Sequence, residues 1–123
     1  MKTTNYQISK QLAEAGFAAA TEFYWVKWNA GEPELVHEKE QTSALIEKVG
    51  AWDLETILEA LPNFIANKNK GENCLVIDVA FGEIHYEGDS DNEAMFITTT
   101  KENESLADTA AKLWLKLKQE GLA

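Results

Sequence analysis

Ser105 to Leu122, SLADTAAKLWLKLKQEGL, decides the fold class, because it carries a complete set of instructions for one amphipathic helix and none for any chemistry. Ser105 can accept the amide of Asp108 as N-cap while Asp108 returns the bond, a reciprocal pair. Leu106, Ala110, Leu113 and Leu117 follow at helical spacing, and Ala107, Ala111 and Trp114 widen the stripe. Gly121 offers a residue that turns left-handed at no steric cost, and Leu122 falls where a Schellman end sets an apolar side chain against Leu117. Burying Leu106, Leu113, Trp114 and Leu117 stabilises by about 1.5–3 kcal/mol each, so this helix belongs to the core and is no tail.

Working outward, Glu83-Ile84-His85-Tyr86-Glu87 alternates with Ile84 and Tyr86 inward, and the stretch from Ala94 to Thr99 reads as a partner strand across an acidic turn, Gly88 to Asn92. Before it, Leu75, Ile77, Val79 and Phe81 alternate on one strand face up to a turn at Gly82, after a polar loop from Asn67 to Asn73. Asp53 to Leu61 predicts a second helix: Leu54, Ile57, Leu58 and Leu61 share a face, acids occupy the first turn, and Pro62 ends it. Ser43 to Val49 fits either a helix or a strand, with strand preferred. Phe23 to Trp28 is a strand of aromatic and β-branched residues, and Asn29 to Pro33 turns it back through Leu35-Val36-His37. At the start, Thr4 and Gln7 stand in capping-box spacing before a helix over about residues 5–15 that Gly16-Phe17 closes. Strands joined by tight turns pair antiparallel, so the expectation is one α+β domain over residues 1–123: a single, mainly antiparallel sheet with about three helices packed on one face.

Composition bounds the function. The chain has 123 residues and a formal net charge of −10, from 21 acidic residues against 11 basic ones. All the bases are lysines. Without arginine's planar fork for phosphate and guanine, and with this charge, a nucleic-acid reader is not expected. No apolar run approaches membrane-spanning length and no signal-like segment opens the chain, so the expectation is a cytoplasmic protein without membrane contact. Cys74 is the single cysteine, which rules out an internal disulfide and reads as a small buried hydrophobe.

The motifs for nucleotide cofactors and for serine hydrolases are missing, and no cofactor is expected. Asp89-Ser90-Asp91-Asn92-Glu93 begins like a calcium loop, but Ala94 stands where that loop needs glycine and Thr100 where it needs a bidentate acid. His37 and His85 lie in separate predicted strands, near Glu38 and Glu87, and would approach a metal-binding arrangement if those strands were neighbours; no short His-x-x-x-His spacing supports it. Two surfaces are candidates for a partner. One is the outer aromatic face, Tyr24 and Trp28, either covered by a loop or left exposed. The other is the acidic run Glu83, Glu87, Asp89, Asp91 and Glu93, opposed between positions 83 and 104 only by Lys101.

In order along the chain, Leu12-Ala-Glu-Ala-Gly-Phe17 with Phe23-Tyr-Trp-Val26, then Glu55-Thr-Ile-Leu-Glu-Ala-Leu-Pro62, then the Ser105–Leu122 run resemble the landmarks of short uncharacterised proteins from bacterial genomes and their phages or prophages. The resemblance leaves residues 29–50 and 66–104 unmatched, implies a compact α+β domain of mobile-element origin, and brings no site residue with it. Together these observations favour a non-enzymatic acidic accessory protein that acts by protein–protein binding, its partner presenting a basic surface. The rival is a small enzyme or metal-binding protein that uses His37, His85 and neighbouring carboxylates.

Overall fold

The structure is a computed structural model and describes residues 2–28, 31–37, 47–67, 71–88 and 95–123. The elements in chain order are α1 (Tyr6–Glu14), β1 (Phe23–Lys27), β2 (Glu34–His37), β3 (Glu47–Ala51), α2 (Leu54–Ala60), β4 (Phe64–Asn67), β5 (Gly71–Asp78), β6 (Glu83–Glu87), β7 (Met95–Thr99) and α3 (Leu106–Gln119).

All strand pairs are antiparallel, but they form two sheets where one was expected: three strands in the order β2-β1-β3 and four in the order β4-β5-β6-β7. β1 takes β2 on one side and β3 on the other, and the later strands build a separate meander. β4 is an addition to the expected strands, pairing Phe64 with Cys74 and Ile65 with Asn73, and β5 begins at Gly71, inside the stretch from Asn67 to Asn73 that was read as a polar loop. Of the ambiguous stretch, Glu47 to Val49 is strand, and residues 43–46 lie outside the described residues.

α3 organises the core, touching α1, α2, β6 and β7. Its Ala110, Ala111, Leu113 and Leu117 are fully buried against Leu12, Ile57, Ile84 and Tyr86 in one cluster, in which Phe17 meets both Trp52 and Trp114 edge-on at 5.0 Å. The expected capping box is present: Asp108 N–H donates to Ser105 Oγ and Ser105 N–H to Asp108 Oδ2. The same carboxylate reaches further. Asp108 Oδ1 accepts the Asn5 amide at 2.7 Å, so one buried acid ties the starts of α1 and α3. Both glycine endings are Schellman motifs, with Phe17 N–H bonded to Leu12 O and Leu122 N–H to Leu117 O, and φ of +91° at Gly16 and +75° at Gly121.

The first helix is capped by Asn5, not Thr4: Asn5 Oδ1 accepts the Ile8 amide. Thr4 is otherwise engaged. Fully buried, it pairs its backbone with Trp52, its hydroxyl accepts the Trp52 amide and meets Ser9 Oγ, and its carbonyl accepts Trp25 Nε1. Gly50 is the other backbone constraint, since a Cβ there would stand 2.8 Å from the Trp52 ring. β5 also stops earlier than its alternation implies. The Asp78 carboxylate accepts the Phe81 amide and Gly82 N–H bonds Val79 O, so Val79 and Phe81 sit in a turn, 72% and 81% exposed, instead of on a strand face. Ile84 and Tyr86 do point inward.

Candidate binding surfaces

The aromatic strand β1 splits by face. Trp25 turns toward α1, edge-on to Tyr6 and bonded to Thr4 O, while Tyr6 OH donates to Glu47 on β3. The Tyr6 phenol is raised above its ordinary pKa, first by that hydrogen bond, then by desolvation and by the charge of Glu47. On the opposite face Val26 is buried, and Tyr24 and Trp28 are half-buried, with Lys48 Nζ 4.2 Å from the Tyr24 ring centre. The outer aromatic face is therefore partly covered.

Of the acidic run, Glu83 and Glu87 flank His85 on β6, with Glu83 Oε2 2.9 Å from His85 Nδ1 and Glu87 Oε2 3.6 Å from Nε2. The close Nδ1 approach lacks the alignment of a hydrogen bond, and His85 itself is buried. Asp89, Asp91 and Glu93 lie outside the described residues. His37 is in the other sheet, 3.4 Å from Glu22 Oε2, so the strands of the two histidines are not neighbours and the arrangement that a shared metal needs does not form. Among the described residues no group of three or more His, Cys, Asp or Glu side chains is placed to hold a metal ion. Cys74, expected inside, is exposed, because its place in the β4–β5 register puts it on the sheet face opposite Leu75, whose side chain packs on the core.

The more pronounced concavity follows α2. A cavity of about 740 Å³ lies between the first turns of α2 and α3, lined by Lys2, Asp53, Leu54, Glu55, Thr100, Glu104, Ser105, Leu106 and Ala107. Across Leu54 and Glu55 it continues into a second hollow of about 480 Å³, formed with Leu58, Glu59, Asn63, Leu75 and Ile77. The floor is aliphatic and the walls carry carboxylates. Two of these are committed: Asp53 Oδ1 caps α2 by accepting the Thr56 amide, and Glu104 accepts Lys112 Nζ at 2.6 Å and the Lys101 amide. Burial alone pushes the Glu104 carboxyl upward, but the bonds and charges from Lys112 and Lys101 outweigh it and hold the pKa below the ordinary value. Glu55 and Glu59 are exposed and have no ion-pair partner among the described residues.

This groove was only half legible in sequence. Leu54 and Leu58 fall on the predicted core stripe of α2, yet only Ile57 of that helix is fully buried, leaving the two leucines partly open. On β5, Ile77 stands opposite the buried Ile84 and is 38% exposed. No family model, no curated protein and no solved structure matches this chain.

Proposed function

We propose that the protein is a non-enzymatic acidic accessory, of phage or prophage origin as its sequence landmarks suggest, that acts by binding another protein with a basic surface. The observation that carries this reading is the uncompensated charge. Among the described residues the only lysine–carboxylate ion pair joins Lys112 to Glu104, in a chain of net charge −10. Exposed carboxylates such as Glu55, Glu59 and Glu87 repel one another on the free surface, and a cationic partner relieves that repulsion.

Attraction of this kind mainly accelerates encounter and weakens with salt, because the Debye length is about 8 Å at physiological ionic strength. Association with a partner captured from the native host should slow when Glu87, Asp89 and Asp91 are neutralised to Gln and Asn, and again when salt is added, with little change in melting temperature. An association rate indifferent to both treatments refutes the electrostatic reading and leaves Tyr24 and Trp28 as the contact to examine.

A further inference from the structure

α2 and its surroundings repeat one spacing. Leu54 and Leu58 are one helical turn apart, and so are Glu55 and Glu59, which makes an aliphatic ledge and a carboxylate ledge side by side. Leu75 and Ile77 continue the aliphatic ledge on the β5 side, and Leu106 and Ala107 continue it at the start of α3. Among the described residues that line the two hollows, Lys2 is the one cation beside Asp53, Glu55, Glu59 and Glu104, and Glu104 is already paired with Lys112.

We propose that this groove seats an amphipathic basic helix of a partner protein, its leucine-like residues on the aliphatic ledge and two lysines or arginines, one turn apart, over Glu55 and Glu59. The inference rests on the protein-binding reading and names the partner's form. Like-facing residues on a helix recur at about 5–6 Å, matching the one-turn repeat of the ledges. On an extended strand they recur at about 6.8 Å and drift out of step. Charge selects among occupants: a second copy would bring its own net −10 against four carboxylates, whereas a cationic helix finds two of them, Glu55 and Glu59, unpaired among the described residues. The chain's own basic helix cannot serve, because Lys112 and Lys116 already donate to the Thr99 and Ile97 carbonyls.

The test is a titration of the intact, isotope-labelled protein with a synthetic leucine–lysine helix, with two controls: the same composition broken by a central proline, and the same helix with glutamate in place of lysine. The expected result is amide shift changes at Leu54, Leu58, Leu75, Ile77 and Leu106 with the first peptide and with neither control. Glu55→Gln with Glu59→Gln should weaken binding about three- to tenfold, as two partly exposed ion pairs allow. Ile77→Lys, at a site open enough to keep the fold, should weaken it further. Shifts confined to the Tyr24–Trp28 or Glu83–Glu87 surfaces, or equal binding of the proline-broken peptide, overturn the proposal. A native partner that survives Glu55→Gln and Glu59→Gln but is lost on neutralising Glu83 and Glu87 overturns the groove and leaves the protein-binding reading standing.

Discussion

Asp108 is the residue whose alteration best tests how this fold is joined. Its carboxylate is 2% exposed and accepts the backbone amides of Asn5 at 2.7 Å and Ser105 at 2.9 Å, one from each of two helix starts. Asp108→Asn keeps the shape but leaves one oxygen for two donors, and its new amide group must face an N–H. A hydrogen bond to a charged acceptor contributes about 1.5–3 kcal/mol, so losing one outright and weakening the other should cost about 2–4 kcal/mol. At about 4 °C per kcal/mol for a domain of this size, the melting temperature should fall by about 8–16 °C. Urea unfolding followed by circular dichroism measures the loss, and amide exchange locates it: Asn5 should exchange faster even though it lies 103 positions away in sequence. A loss below about 0.5 kcal/mol, the scatter of ordinary surface substitutions, would show that the two caps are independent and that the helices are held by apolar packing alone.

Tyr86 is fully buried, its hydroxyl donates to Pro62 O at 2.6 Å, and burial pushes its pKa from 10.0 up to about 12. The folded state thus keeps a proton that the unfolded chain releases from pH 10. Stability should be unaffected below that pH and fall by about 1.4 kcal/mol per unit between pH 10 and about 12, and Tyr86→Phe should flatten this part of the alkaline arm in pH-dependent unfolding. Asn73 is fully buried with neither side-chain amide atom hydrogen-bonded, so Asn73→Leu should leave stability unchanged or raise it by about 1 kcal/mol, and a loss on denaturation would reveal a hidden partner. Leu113→Ala should cost about 2–5 kcal/mol, and truncation before Ser105 should abolish cooperative unfolding; a truncated chain that melts like the intact one would refute the central place of α3. No binding to duplex DNA is expected at physiological salt, and a salt-sensitive gel shift at micromolar protein would contradict it.

Local instructions were legible and long-range pairings were not. The α3 cap, the two glycine endings and the inward Ile84 and Tyr86 depend on residues within a few positions of one another, so spacing alone reveals them. The choice of Asn5 over Thr4 as N-cap is different in kind. Either side chain can accept a helix amide, and what settles it is that Trp52, 48 positions on, takes the Thr4 hydroxyl. β4 is four residues wedged between Pro62 and an Asn/Lys-rich stretch, and its pairing with Cys74 and Asn73 makes it a strand. The groove was hidden for the same reason: the α2 stripe identifies Leu54 and Leu58 as apolar, but how far neighbouring elements cover them depends on where α3 and β5 come to rest.

The lysines connect that packing to the surface charge. Three lysines lie on the last helix, and each has a use within the fold. Lys112 Nζ bonds Thr99 O and pairs with Glu104, Lys116 Nζ bonds Ile97 O, and Lys118 Nζ stands 5.9 Å from the Trp114 ring centre. Two ammonium groups one turn apart thus satisfy alternate carbonyls of β7, the last strand in the order β4-β5-β6-β7, and put charge where an uncharged Phe-Ile-Thr-Thr edge would otherwise invite another strand. Lysines held along this edge leave Glu55, Glu59 and Glu87 without a lysine partner among the described residues, and that exposed negative surface is the one on which the proposed cationic partner would act.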